Sequence, residues 1–207
     1  MKKIYFSIGL FLATINPILS QKNKLEFGIK AALNYSSFTN DKDEGFPINY
    51  QGKIGVQIGG LMNLNLTEKI AIQPEVLFSV QNSDFLIDFS VDPDRPPGIP
   101  AGIDGDIKEF MILVPITLKY SFNEKINFNI GPQLGYNLNR TIEYNDSNVI
   151  GEFLKLTSNS NIEFGVIVDL GYNLGKKIRT GIRYSYGITK RIEANSSVFS
   201  IGIDYRI

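Results

Sequence analysis

Residues 162–187, IEFGVIVDLGYNLGKKIRTGIRYSYG, decide the fold of this chain. From Ile162 to Leu174 every second residue is a large apolar or aromatic side chain, and from Ile178 the same spacing returns with one threonine. A period of two is typical of a strand, whose successive side chains point to opposite faces. The short polar segment at 175–177 lies between the two runs, so the stretch predicts two antiparallel strands joined by a tight turn.

The same alternation recurs along the chain, which predicts an all-β protein with eight strands. The predicted strands are Leu25–Ser36, Lys53–Leu66, Ile70–Gln81, Lys108–Phe122, Ile126–Leu138, Asn161–Leu174, Ile178–Gly187 and Ser196–Ile207. Tight polar turns at 67–69, 123–125 and 175–177 alternate with longer connections at 37–52, 82–107, 139–160 and 188–195. This pattern predicts an eight-stranded antiparallel up-and-down transmembrane β-barrel, with short periplasmic turns and long extracellular loops.

The two phases of the alternation differ in charge. The apolar phase carries no charged residue, whereas the other phase carries six acids and six bases among many glycines. Buried charges are tolerated when they are paired, so we predict an interior charge network on this phase. Its predicted members are Glu26, Lys30, Lys53, Glu75, Glu109, Lys119, Glu163, Asp169, Arg179, Arg183, Asp204 and Arg206.

Alternation alone does not say which phase faces inward, because a soluble lipocalin-like ligand-binding barrel places its apolar phase inside. The glycines favour the polar phase as the interior, since a narrow lumen has room for side chains only if some positions are small. Aromatic residues fall toward both ends of the strands and flank a band of Ile, Val and Leu, as girdles at the two membrane interfaces would. Pro74, Pro115 and Pro132 lie inside predicted strands, where we expect a β-bulge or weakened pairing.

The N-terminus predicts export. Residues 1–20 combine two lysines, an apolar run and a final small Ser20, which is the order of a cleaved signal peptide. Residues 21–207 are then the outer-membrane β-barrel domain, located in the cell outer membrane of a Gram-negative bacterium. The chain has no Cys, so it offers neither a lipoprotein attachment site nor a disulfide.

The composition of the chain disfavours several classes of function. The chain has no His, which removes the usual general base and transition-metal ligand, so we predict no enzyme activity, no catalytic site, no cofactor and no metal site. With 21 basic and 21 acidic residues there is no net field that would favour nucleic acid. The expected partners are outer-membrane lipid and an extracellular or periplasmic protein. A structural or binding role through the loops is favoured over a small-solute conduit, because eight strands leave an interior filled by side chains.

Short motifs along the strands resemble those of the PorT-like outer-membrane β-barrel family. They are Gly28-Ile29-Lys30 with Leu33-Asn34, Gln73-Pro74-Glu75, Pro115 with Lys119-Tyr120, Gly131-Pro132 with Gly135-Tyr136, and Arg183-Tyr184 with Gly187. The resemblance extends from about residue 25 to the C-terminus and implies a barrel fold. It also implies, as a further alternative, a role in protein secretion like that of the member that gives the family its name.

Overall fold

A computed structural model describes residues 25–39, 48–88, 102–145, 160–192 and 194–207. It contains eight strands, β1 (Leu25–Thr39), β2 (Ile48–Asn65), β3 (Ile70–Asp88), β4 (Gly102–Ser121), β5 (Ile126–Tyr144), β6 (Ile162–Asn173), β7 (Ile178–Gly187) and β8 (Asn195–Arg206). The predicted signal peptide at 1–20 lies outside the described residues. No helix in the described part of the chain is long and apolar enough to cross a membrane.

The strands form one closed ring in chain order. Every neighbouring pair is antiparallel, and β1 closes the ring by pairing with β8 from Gly28↔Arg206 to Thr39↔Asn195. Closure provides a partner for the backbone groups on both sides of each strand, which lipid requires because it offers no hydrogen bonds. The predicted up-and-down barrel is confirmed.

The alternation in the sequence becomes the two surfaces of the wall. On one face of β6, Phe164 and Val166 are 58% and 46% exposed. On the opposite face of the same strand, Glu163 and Asp169 are 3% and 4% exposed. The same holds around the ring, where large apolar side chains cover the outer surface. An apolar surface of this extent is untenable in water and suits hydrocarbon.

Five strands, β1 to β5, are longer than predicted at the loop end. The apolar phase of β3 stops at Gln81, which is the predicted end of the strand, but the strand continues to Asp88. Strand β4 begins at Gly102 instead of Lys108. The side chains of this extension still alternate between the two faces, but the apolar side chains now point inward and the charged ones outward. Phe85 and Ile87 point inward and are buried, and Asp84 points outward. A strand that continues from lipid into water needs a polar outer face there, so the end of the apolar phase is not the end of the strand.

Two register shifts alter which side chains reach the lumen. One lies in β2 between Lys53 and Val56, and the other lies where Phe110 pairs with Asn139 and Met111 pairs with Asn137. Each places an extra residue in one strand, so the side chains beyond it change face.

The in-strand prolines are accommodated without a shift of register. Pro74 pairs with Ile116, and the β2–β3 ladder omits the pairs opposite Pro74 and Gln73 while its register stays constant. The β4–β5 ladder likewise omits the pairs between Pro115↔Gln133 and Leu118↔Ile130. Proline has no backbone N–H to donate, and the strands accommodate this by a local loss of strand pairing and not by a β-bulge.

Candidate functional site

The lumen holds a closed ring of six alternating charges. Its members are between 1% and 5% exposed, and they are Lys30, Glu75, Arg183, Asp169, Arg179 and Asp204. Each acid contacts two bases and each base contacts two acids. The ring is therefore neutral and has no end, which is how buried charges are best compensated.

Strand register accounts for three of the six contacts in this ring. Lys30 and Arg179 are both paired with Asp204, and Arg183 is paired with Asp169, so these contacts join neighbouring strands. The corresponding distances are 3.5 Å from Lys30 Nζ to Asp204 Oδ1, 2.9 Å from Arg179 Nη1 to Asp204 Oδ2, and 3.1 Å from Arg183 Nε to Asp169 Oδ2.

Glu75 links the ring across the lumen. From β3 it accepts hydrogen bonds from Arg183 Nη1 at 2.8 Å and Nη2 at 2.7 Å, a two-pronged contact with β7. It also accepts a bond of 2.9 Å from Lys30 Nζ and one of 2.7 Å from Gln73 Nε2. Glu75 therefore joins β3 to β1 and β7, which are not its neighbours in the sheet.

Glycine makes room for the charged groups. A Cβ at Gly171 would overlap the guanidinium of Arg179, which lies against the bare backbone of β6. The space left among the ring residues is about 10 Å³, at the lower limit for a single water molecule. The ring layer thus closes the lumen.

A second charged cluster lies nearer the loop end, above a small apolar layer of Leu77, Met111 and Leu113. Arg140 Nε donates a 2.6 Å hydrogen bond to Glu109 Oε1. Arg191 Nη1 lies 2.7 Å from Glu109 Oε2, and its Nε lies 2.8 Å from Glu163 Oε2, as ion pairs whose angles do not suit hydrogen bonds. Two acids and two bases make this layer neutral as well.

Neither base of this cluster, Arg140 or Arg191, is among the predicted members of the network. Arg140 falls on the apolar phase if the alternation of β5 is continued unbroken, and only the extra residue opposite Phe110 and Met111 turns it inward. The available signal was an arginine on a phase that otherwise has no charge. Arg191 belongs to the connection between β7 and β8, and nothing in the sequence distinguishes it from Lys190 beside it.

Arg191 is held in the lumen from several sides. It is 1% exposed, donates a 3.0 Å hydrogen bond to Gln81 Oε1 and lies 5.2 Å from the ring centre of Phe38. Its loop is fixed by Thr189 Oγ1, which accepts a 2.9 Å bond from the backbone of Phe164. The connection between β7 and β8 therefore folds into the mouth of the barrel.

An apolar cap closes the mouth above this cluster. The buried members are Phe38, Phe85, Ile87, Ile103, Ile107, Ile192 and Ala194, and Ile48, Tyr50, Ile142 and Tyr144 pack against them. These residues come from the extended ends of the strands and from the inserted loop, so the cap is the inner face of the wall that stands beyond the membrane.

Some residues of the predicted network lie elsewhere. Lys53 is on the outer surface with Asp84 and Asp106, because the register shift before Val56 reverses its face. The hydrogen bond to Asp106 is the main cause that raises the pKa of Lys53, and the same bond lowers the pKa of Asp106. Placing Lys53 in the lumen was wrong, because the prediction assumed an unbroken pleat.

The remaining predicted members lie at the turn end. Arg206 Nε is 4.0 Å from Glu26 Oε2 at a partly exposed rim. Lys119 is buried and lies 3.4 Å from Gln73 Oε1, without a carboxylate partner among the described residues. The described residues contain no group of three or more Asp, Glu, His or Cys suited to hold a metal ion.

A closed ring of eight antiparallel strands, apolar outside and filled with paired charges inside, defines a transmembrane β-barrel of the outer-membrane class. Residues 19–193 match the model of the family described as outer membrane protein beta-barrel domain. The chain belongs to this family. A search of curated proteins found no match.

Solved structures of outer-membrane proteins are similar to this chain at low sequence identity. Ail, the attachment invasion locus protein of Yersinia pestis, solved with the heparin analogue sucrose octasulfate, is 15% identical with a TM-score of 0.50 over 89% of this chain and 99% of that chain. Neisserial surface protein A is 15% identical with a TM-score of 0.49, over 87% of this chain and 97% of that chain. OprG of Pseudomonas aeruginosa is 12% identical with a TM-score of 0.49, over 89% and 95%. At 15% identity the likeness to Ail is one of fold alone.

Proposed function

We propose that the chain is a non-enzymatic outer-membrane protein that binds an extracellular partner through its loop end. The observation that carries the proposal is a barrel with a closed lumen, beyond which the loop-end extensions of β2 to β5 form a structured platform. The lumen is closed by the six-charge ring, the Arg191 cluster and the apolar cap, while β2 to β5 continue beyond the apolar band. The part of the molecule left for a partner is the surface outside the membrane.

The closed lumen argues against a small-solute conduit. A hydrated ion would have to pass the ring layer, where the free space is about 10 Å³. Opening that layer would separate buried ion pairs, and breaking one such pair costs about 3–5 kcal/mol. The barrel therefore serves as an anchor.

The platform is polar on its outer face and apolar on its inner face. Asp84 and Asp106 hold Lys53 between β2, β3 and β4, and Asn145 Nδ2 donates a 2.6 Å bond to Asp104 on the same side. Its fixed strands support the long connections after β3 and β5, and loops on a rigid support are the usual position of binding residues. The prediction of a cleaved signal peptide agrees with this placement and remains part of the proposal.

Site-specific photo-crosslinking in intact cells tests the proposal. A photoreactive residue at Leu86, which is outward and 42% exposed beyond the apolar band, should give discrete protein adducts. The matched control is Ile201, which is 54% exposed in the apolar band and should give none. Adducts only from turn-end positions such as Glu124 would contradict the proposal and favour a periplasmic secretion role, as the PorT-like resemblance implies. Stepwise conductance of the purified parent in planar bilayers would favour the conduit.

A further inference from the structure

The turn end of the barrel contains a polar vestibule of about 980 Å³. It opens between the turns after β2 and β4, and its wall includes Asn63, Lys119, Asn173 and Arg206. Lys119 is 6% exposed although it lines this space, so its ammonium is at the inner end and not at the mouth. The vestibule faces the periplasm in the orientation that the loop lengths give.

Among the residues that the structure describes, Lys119 is the charge that the lumen leaves uncompensated. The six-charge ring, the Arg191 cluster and the rim pair of Arg206 with Glu26 each contain equal numbers of acids and bases. Within the described residues the one hydrogen bond of the Lys119 ammonium is its 3.4 Å contact with the neutral Gln73. A buried ammonium without a counter-charge is costly, so it attracts an anion from the adjoining solvent.

We propose that the vestibule binds one small oxyanion of the phosphate class from the periplasm, with Lys119 as the main ligand and Arg206 as the second. Asn173 holds Arg206 toward the vestibule: Arg206 Nη2 donates a 2.9 Å hydrogen bond to Asn173 Oδ1. Asn63 Oδ1, a buried acceptor of the same wall, has no hydrogen-bond partner among the described residues and suits the hydroxyl of a protonated phosphate.

The rim limits the size of the ligand. Glu26, Glu68 and Glu124 also line the vestibule. Their charges repel a long polyanion that would extend through the mouth, whereas a small ion at the inner end lies nearest to Lys119. This site is separate from the loop end and does not depend on the function proposed there.

Calorimetric titration of the purified protein with inorganic phosphate tests the site, in an uncharged alkyl maltoside and with chloride balancing the ionic strength. The parent should show saturable binding of one phosphate. Lys119→Met should bind at least about tenfold more weakly, because it loses a charge-assisted hydrogen bond. Lys69→Met, which removes an exposed turn lysine from the same vestibule, should bind as the parent does.

The Lys119→Met variant should also fold as well as the parent in chloride, since no ion pair is broken. A shift of gel mobility on boiling verifies that it is folded. Absence of saturable binding to the parent, or equal binding to Lys119→Met and the parent, would overturn the proposal. A Lys119→Met variant that does not fold would also overturn it, because Lys119 would then be a structural partner within the lumen.

Discussion

Removing Arg183 should destabilise the barrel far more than removing a charge at its rim. In Arg183→Met the carboxylate of Glu75 loses two hydrogen bonds of 2.7 and 2.8 Å, and Asp169 loses one of 3.1 Å. Breaking a buried pair by removing one partner costs about 3–5 kcal/mol. Glu26→Ala is the matched control: its side chain is 42% exposed and 4.0 Å from Arg206, so its loss should cost about 0–1 kcal/mol.

The ring makes a sharper prediction for the double variant. When Glu75 and Arg183 are both replaced by Met, the remaining charges form the neutral chain Lys30–Asp204–Arg179–Asp169, in which every member keeps a partner. Replacing both partners of a buried pair by apolar residues is often neutral or stabilising. The free energy of unfolding of the double variant should therefore lie within about 2 kcal/mol of that of the parent. This loss is well below the sum of the losses in the two single variants.

Urea titration of protein refolded into lipid vesicles measures these free energies. The chain has no Trp, so the folded fraction is followed by circular dichroism and by gel mobility without boiling. Costs of the two single replacements that simply add in the double variant would refute the closed ring. An Arg183→Met variant as stable as the parent would refute the charged lumen itself.

Three further results are expected. Val166→Arg, at mid-strand on the lipid-facing surface, should cost about 2–4 kcal/mol in the same urea titration, and no loss would place that surface in water. Gly171→Ala, whose methyl group overlaps the guanidinium of Arg179, should lower the urea midpoint, whereas Gly60→Ala, which meets only a backbone oxygen 3.9 Å away, should leave it unchanged. Mass spectrometry of the outer-membrane fraction should find a chain lacking roughly its first 20 residues, and an intact N-terminus in the cytoplasmic membrane would contradict export.

The membrane-embedded part of the fold can be predicted from the sequence because lipid strictly limits which residues can face it. Every lipid-facing position must be apolar and every backbone group must be paired, so a period of two in Phe164, Val166 and Val168 leaves few other structures. Beyond the membrane the constraint ends, and the strands continue with exchanged faces at Phe85 and Ile87. That extension could not be recognised by following the apolar phase alone.

The candidate site was less accessible to sequence reasoning. Ring contacts such as Arg183 with Asp169 follow from alternation and register, but the reach of Glu75 across the lumen is a property of the closed barrel. Register shifts carry Lys53 out of the lumen and Arg140 into it, and each depends on a single extra residue in a strand. Local sequence gives little sign of such a residue, because an inserted position changes the phase without changing composition.

Thiol accessibility at two adjacent positions of β8 tests most directly whether the polar phase forms a closed lumen and the apolar phase faces lipid. The chain has no Cys, so Ser200→Cys and Ile201→Cys each carry one thiol, at positions 4% and 54% exposed respectively. In vesicles, the thiol at 200 should react with a membrane-impermeant reagent only after unfolding. A fluorophore on the thiol at 201 should be quenched by brominated lipid. Rapid reaction at 200 in the folded protein, with no lipid quenching at 201, would contradict a closed polar lumen inside an apolar outer surface.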